Sequence, residues 1–345
     1  MVDFDALPAA ARAQLAATRM PARVDAMAAT LTSDRFSDPD WIYERKLDGE
    51  RCLAWIADGR VALRSRNDLR LDDTYPDLVD ALRGRRRAEA IVDGEIVAFD
   101  RTRTSFARLQ QRLGVRSASE ARERATKVPV YFYLFDVLWC DGYDVRALEL
   151  RWRKALLRQT IDFGGPLRYS THRNREGEAY FAYACAHAWE GLVAKRASSR
   201  YVGRRSPDWL KFKCEAEQEL VIGGFTEPQG SRVGFGALLV GYYEGDDLRY
   251  AGKVGTGFDT KTLVALRRRF DTLAEDASPF AERVREKGAH WLRPELVAQV
   301  GFSEWTTDGK LRHPKYLGLR DDKAPSDVVR ERPVDERTRR GAKRG

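Results

Sequence analysis

Lys46 ends a strand-like run, Trp41-Ile42-Tyr43-Glu44-Arg45-Lys46, and is followed by Leu47-Asp48-Gly49-Glu50-Arg51 and a second apolar run, Cys52 to Ile56. Alternation with a period of two puts Glu44 and Lys46 on one face. A lysine can attack phosphorus only as the free amine, so its pKa must be lowered by burial or by neighbouring cations. Lys195, Lys211 and Lys213, in Glu190-Gly191-Leu192-Val193-Ala194-Lys195 and Trp209-Leu210-Lys211-Phe212-Lys213, could supply that field and hold phosphates. Glu95, in Asp93-Gly94-Glu95, and Glu190 are hard oxygen ligands suited to a magnesium ion bridging phosphate oxygens. Phe135, in Tyr133-Leu134-Phe135-Asp136, can stack on a base, and arginines such as Arg51 and Arg66 bind phosphate through planar donor forks.

Taken singly, each residue has a plainer explanation. Lys46 would blunt a sheet edge, Phe135 would fill a core, Glu95 would sit in a weak surface ion pair, and Lys211 and Lys213 would face water. Glu190 and Lys195 have opposite strand parity, so a bend at Gly191 must bring them together. Together the residues describe chemistry on nucleotide phosphates. No Gly-x-x-x-x-Gly-Lys-Ser/Thr stretch occurs, so the phosphates are not held in a P-loop.

The elements that must position these groups can be read from periodicity. Strands are expected at 41–47, 50–57, 60–65, 90–98, 128–139, 191–196 and 208–213. Helices fit 74–84, 104–113, 146–160 and 176–189. Asp48-Gly49 reads as the turn of a hairpin that carries Lys46. Strands clustered without a strict βαβ rhythm favour an α+β domain on a mostly antiparallel sheet. Residues 1–30 read as a helix and an extended lead-in, and 102–126 as a surface excursion around a short helix. After residue 216 the texture changes to short strands at Leu220–Phe225, Ala237–Tyr243, Leu248–Gly252 and Gly301–Trp305, with a helix at Lys261–Leu273, which fits a small Greek-key barrel of the OB type. The expected domains are therefore a lead-in (1–30), the α+β domain (31–216), the barrel (217–325) and a tail (326–345). The last stretch, Arg330–Gly345, holds seven Arg/Lys against three Asp/Glu and is expected to be disordered.

Composition narrows the function classes. The chain of 345 residues is long enough for two cores, and its net charge of +9 suits a polyanionic partner. No apolar run approaches the roughly 20 residues of a membrane helix, and the amino terminus lacks the apolar core of a signal peptide. Cysteines 52, 140, 185 and 214 stand singly, which argues against a zinc site or a disulfide framework and for a reducing, cytoplasmic setting.

In their order, Lys46-Leu47-Asp48-Gly49-Glu50-Arg51, Ser65-Arg66-Asn67, Asp93-Gly94-Glu95, Leu134-Phe135-Asp136, Glu190-Gly191-Leu192-Val193-Ala194-Lys195 and Leu210-Lys211-Phe212-Lys213 resemble the collinear motifs of covalent nucleotidyltransferases, the ATP-dependent DNA ligases, RNA ligases and capping enzymes. Within that superfamily the chain resembles bacterial ATP-dependent DNA ligases of the ligase D type, those of non-homologous end joining. The resemblance runs from Asp40 to Lys323. It includes Gly230-Ser231-Arg232, Ala251-Gly252-Lys253-Val254-Gly255-Thr256-Gly257-Phe258 and Glu304-Trp305-Thr306 in the barrel.

The resemblance implies an antiparallel-sheet nucleotidyltransferase (adenylation) domain followed by an OB-fold barrel. It also implies an activity: sealing a 3′-hydroxyl to a 5′-phosphate through a lysyl-AMP and a DNA-adenylate. Lys46 would be the nucleophile, Glu44 would read the adenine amino edge, and Phe135 would stack on the ring. Arg51 and Glu95 would hold the ribose, with Glu95 and Glu190 close to Mg2+ or Mn2+. Arg66 would contact nucleotide or the DNA 5′-phosphate, and Lys195, Lys211 and Lys213 the α-phosphate. Arg320 and Lys323, in Arg320-Asp321-Asp322-Lys323, would orient the pyrophosphate. ATP is the implied cofactor, and double-stranded DNA with nicks or breaks is the implied partner. A Ku-like end-binding protein or separate polymerase and nuclease proteins would join a monomeric, nucleoid-associated enzyme. Glu50 departs from the family, whose members often have an aromatic residue there. No large amino-terminal DNA-binding domain and no polymerase or nuclease domain accompanies the motifs, so a minimal two-domain ligase is expected. An RNA ligase or capping-type enzyme, and an inactive nucleic-acid-binding module, are the alternative readings.

Overall fold

Consecutive apolar residues at 52–57, 90–92 and 96–99 build the central sheet of the first of two compact units, which runs up to Cys214; the second is Glu215–Glu331. The computed structural model describes residues 2–115, 117–228 and 230–333. Most of the expected tail, 334–345, thus lies outside the described residues.

The first unit holds two sheets. In the larger, strands Tyr143–Asp144, Val130–Cys140, Ala90–Asp100, Glu50–Ala57 and Arg60–Ser65 lie side by side and antiparallel, and Leu167–Tyr169 adds one parallel pairing to Val130–Cys140. Its outer face packs on helices Pro76–Arg85 and Leu150–Thr160 through Leu78, Leu82, Leu156 and Leu157. The smaller sheet has the order His172–Asn174, Trp41–Lys46, Gly191–Arg196, Arg205–Lys213 and Ala28–Leu31; only the last pairing is parallel. Trp41, Tyr43, Leu192, Ala194, Leu210 and Phe212 point outwards from it against helix Gly177–Ala186. The opposite face carries Glu44, Lys46, Lys195 and Trp209, and Trp209 packs with Phe135, Leu53 and Ile91 of the larger sheet.

Four expectations for the first unit are corrected. Lys46 does not sit in a hairpin: its strand belongs to the smaller sheet, whereas Glu50–Ala57 belongs to the larger. Asp48-Gly49 carries the chain between sheets, and a Cβ on Gly49 would lie 2.2 Å from the Ile96 carbonyl oxygen, so only glycine fits. The amino-terminal helix is confined to Ala9–Arg12, and Ala28–Leu31 is a strand. The excursion at 102–126 holds Phe106–Leu109, a 3-10 turn at Gln110–Arg112 and Ala118–Lys127; fully buried Arg112 fastens it to Asp77 and to the Thr74 and Val128 carbonyls. Finally, Cys185 and Cys214 form a disulfide. Their separation of 29 residues hides the pairing, which arises because the end of helix Gly177–Ala186 abuts the chain leaving Arg205–Lys213. Cys52 and Cys140 are buried free thiols, and burial pushes Cys140 up to about 12.

The second unit is an OB-type barrel. Strands Asp247–Val254, Leu238–Glu244, Ala216–Thr226 and Ala289–Phe302 lie in that order, and Lys315–Leu319 pairs with the last. A bridge from Thr256 to Lys315 brings the first strand's end towards the fifth, as in a partly open five-stranded barrel. Helix Thr260–Phe270 caps the core through Leu263, Leu266 and Phe270. The strand expected at Gly301–Trp305 is divided: Gly301 and Phe302 end the much longer Ala289–Phe302, whose first half is disguised by Arg293, Pro294 and Glu295, and Glu304–Trp305 is a separate short strand paired with Leu311–Arg312. Val328 is buried in this core, and Gln218 bonds to the Val329 carbonyl and the Glu331 amide. Among the described residues no helix is long and apolar enough to cross a membrane.

Candidate active site

Register places the charged motif residues on one face of the smaller sheet. Gly191 lies opposite both Lys46 and Lys213, and Val193 lies opposite both Glu44 and Lys211. Residues paired across antiparallel strands point the same way. Lys46, Glu44, Lys195, Lys211 and Lys213 therefore converge on the inner face. Lys46 Nζ forms an ion pair with the Glu190 carboxylate, in side chains only 18% and 11% exposed. Gly191 takes φ +148°, and this turn lets Glu190, just before its strand, reach the amine. The bend expected at Gly191 thus brings Glu190 to Lys46.

Glu44 is buried, with Lys154 Nζ bonded to Oε1 and Lys195 Nζ 2.7 Å from Oε2. Burial alone would raise the pKa of Glu44, but the two ammoniums outweigh it and hold the carboxyl below its ordinary value. Burial lowers Lys195, and the nearby Lys154 charge adds to that effect against the pull of Glu44. Lys195 Nζ also lies 4.1 Å from the ring centres of both Phe135 and Trp209. His172 faces Glu44 across the adjoining strands, and burial, aided by Lys154, lowers its pKa to about 4.

On the larger sheet, Arg51 grips Asp93 through Nε and Nη2 at 2.5 and 2.6 Å, and its guanidinium lies 4.5 Å from the Phe135 ring centre. Tyr201 donates to the same Asp93 at 2.7 Å. Burial opposes the Arg51 charge, but Asp93 more than compensates and raises its pKa. Glu95 lies opposite Arg51, on the same face.

Two groups stand apart. Arg66 is exposed in the turn after Arg60–Ser65 and makes no hydrogen bond or ion pair among the described residues. Arg320 and Lys323 belong to the second unit, where Arg320 clasps Asp322 with two 2.8 Å bonds and Lys323 lies 3.3 Å from Glu219. Sequence reasoning overlooked Lys154, Asp93, Tyr201 and His172 as parts of the site. Lys154 did leave a signal: with Leu150 and Leu157 it falls on the apolar stripe of its helix, where a lysine is out of place.

Comparison with known proteins shows the family. The model of the ATP dependent DNA ligase domain matches residues 22–213, and that of the ATP dependent DNA ligase C terminal region matches 231–323. The chain belongs to the ATP-dependent DNA ligase family. Among its ligase relatives, a multifunctional non-homologous end joining protein LigD of Pseudomonas aeruginosa is 38% identical over 88% of this chain and 36% of its own length. The LigD of Mycolicibacterium smegmatis is 35% identical over 86% of this chain and 38% of its own length. The ligase-family chain thus spans little more than a third of these curated relatives. A solved mycobacterial DNA ligase D complexed with ATP and MES aligns with a TM-score of 0.60 at 34% identity, covering 89% of this chain and 98% of that one.

Proposed function

We propose that this chain is an ATP-dependent DNA ligase that seals a 3′-hydroxyl to a 5′-phosphate in nicked or broken double-stranded DNA, in repair by end joining. The observation that carries the reading is the convergence of one amine, Lys46, with Glu190 and three further lysines on a single sheet face. Lys46 Nζ attacks the α-phosphorus of ATP; a nitrogen–phosphorus bond forms, the bond to pyrophosphate breaks, and AMP stays on the lysine. The amine must first shed a proton to solvent, which the positive charges of Lys211 and Lys213 on the same sheet face favour. Lys195, Lys211 and Lys213 offset the charge on the α-phosphate as it builds. Glu44 accepts a hydrogen bond from the adenine amine, and Phe135 offers its ring to the base. Arg51 and Glu95 bind the ribose, and Arg66 a phosphate. The AMP then passes to a DNA 5′-phosphate, and the 3′-hydroxyl displaces it.

Among the described residues no three His, Cys, Asp or Glu side chains gather as a self-sufficient metal cage. Glu95 and Glu190 supply hard carboxylate oxygens of the kind that would hold an ion of the magnesium or manganese class. Such an ion, when bound, would neutralise phosphate charge. In this reading Arg320 and Lys323 contact pyrophosphate, and a Ku-like end-binding protein brings the monomer to DNA ends.

The test is incubation with magnesium and α-labelled ATP or GTP, then denaturing separation. Label from ATP and not GTP, abolished by Lys46→Ala, is expected. No label from either nucleotide would sink the reading. Chase of the adenylylated protein with nicked duplexes bearing DNA or RNA beside the nick then separates DNA joining from RNA joining.

A further inference from the structure

Glu44 is held by two ammonium groups where one would neutralise it. Lys195 comes from the neighbouring strand and from a motif already singled out. Lys154 comes from helix Leu150–Thr160 and from no motif. A buried ammonium is costly unless its bonds are made. Those of Lys154 go to Glu44 Oε1 and to the Ser170 carbonyl at 3.0 Å, with the Tyr169 ring centre 4.6 Å away. Its helix is pinned one residue earlier, where buried Arg153 clasps Asp136 at 2.8 and 2.9 Å. With one ammonium on each oxygen, the Glu44 carboxylate is fixed in its plane and kept ionised. Each oxygen retains a second lone pair. An ionised carboxylate so held accepts a hydrogen bond from the exocyclic amine of adenine and repels the carbonyl oxygen that guanine carries at the same position.

We propose that Lys154 is a positioning residue for base selection: by holding the Glu44 carboxylate in one plane, it sets the preference for adenine over guanine nucleotides. This rests on the reading of Lys46 as the nucleotide attachment point and Glu44 as the base reader.

The test is the rate of covalent labelling of the full chain over a range of ATP and of GTP concentrations, for the wild type and for Lys154→Met, Lys154→Arg, Glu44→Gln and the Lys154→Met/Glu44→Gln double variant. Loss of one charge-assisted hydrogen bond should raise the KM for ATP about tenfold and cut the ATP-over-GTP preference by a similar factor. The labelling rate at saturating ATP should stay within about threefold of wild type, because the change removes binding shared by ground and transition states. Lys154→Arg should restore most of the preference. In the Glu44→Gln background, Lys154→Met should remove no further preference, since two residues acting as one unit are not additive. A Lys154→Met chain that keeps the wild-type preference, or adds its loss in full to that of Glu44→Gln, overturns the proposal. Absence of label from the wild type sinks the underlying reading instead. Should thermal unfolding show that Lys154→Met does not fold, Lys154→Gln takes its place: its shorter, neutral side chain loses the charge-assisted bond to Glu44, so a reduced preference is expected and an unchanged one overturns the proposal.

Discussion

His172 and Glu44 point the same way from neighbouring strands, yet the environment treats the two groups oppositely. The carboxylate has two ammoniums and stays charged; the imidazole has burial and the Lys154, Arg158 and Lys195 charges against it, with only Glu44 in its favour. Its folded pKa of about 4 lies below the ordinary 6.5, so the folded chain holds it neutral. As pH falls, the unfolded chain therefore takes up the proton first. The stability tied to the neutral ring is intact above pH 6.5 and erodes between 6.5 and 4. Replacing the ring by a neutral amide, His172→Gln, should flatten that slope. Urea unfolding at pH 7 and pH 5 should show the wild type losing about 1 kcal/mol more than the variant, after allowance for partial solvent screening. Equal losses in the two chains would show that the ring is not held neutral.

Strand Gly191–Arg196 is the element on which the site depends, because it lies between Trp41–Lys46 and Arg205–Lys213 and sets the register of both. Its first residue permits the close approach. A Cβ on Gly191 would fall 1.9 Å from the Phe212 carbonyl oxygen, and its φ of +148° disfavours any other residue. Gly191→Ala should cost about 2–3 kcal/mol of unfolding free energy, through overpacking and backbone strain. It should also lower lysyl-AMP yield at saturating ATP by shifting Glu190 off Lys46. A urea midpoint within error of wild type would refute this account. Part of the arrangement was legible beforehand: alternation puts Lys211 and Lys213 on one face, as it does Glu44 and Lys46, and strand parity called for a bend at Gly191. Sheet membership was not legible. Asp48-Gly49 is a strong local hairpin signal, but whether its flanking strands pair is settled by the distant strands that compete for their edges. Strand His172–Asn174 is too short and polar to show a period, so its histidine passed unnoticed. Lys154 was legible in the stripe of its helix but carried no motif to point to it, and Cys185 meets Cys214 only through tertiary packing.

At the scale of the molecule, charge is the property to which both units contribute. The net charge of +9 includes Arg66, exposed in the first unit, and Arg267, Arg268 and Arg269, which end the barrel's helix. Two of those three already have acidic partners, Arg267 with Asp271 and Arg269 with Asp321, so the positive surface is partly spent internally. What remains is suited to releasing counterions from a phosphate backbone. Each phosphate neutralised contributes about −0.9 to the slope of log affinity against log salt for duplex DNA. If about six phosphates are contacted, binding of the full chain to a nicked duplex should weaken roughly a thousandfold between 50 and 200 mM salt. Fluorescence anisotropy across that range measures the slope directly. Arg66→Ala should make it shallower by about one while leaving unfolding stability unchanged, because among the described residues Arg66 supports no other side chain. A slope shallower than about −2 would mean that few phosphates are engaged, and that this chain meets DNA mainly through surfaces other than its basic faces.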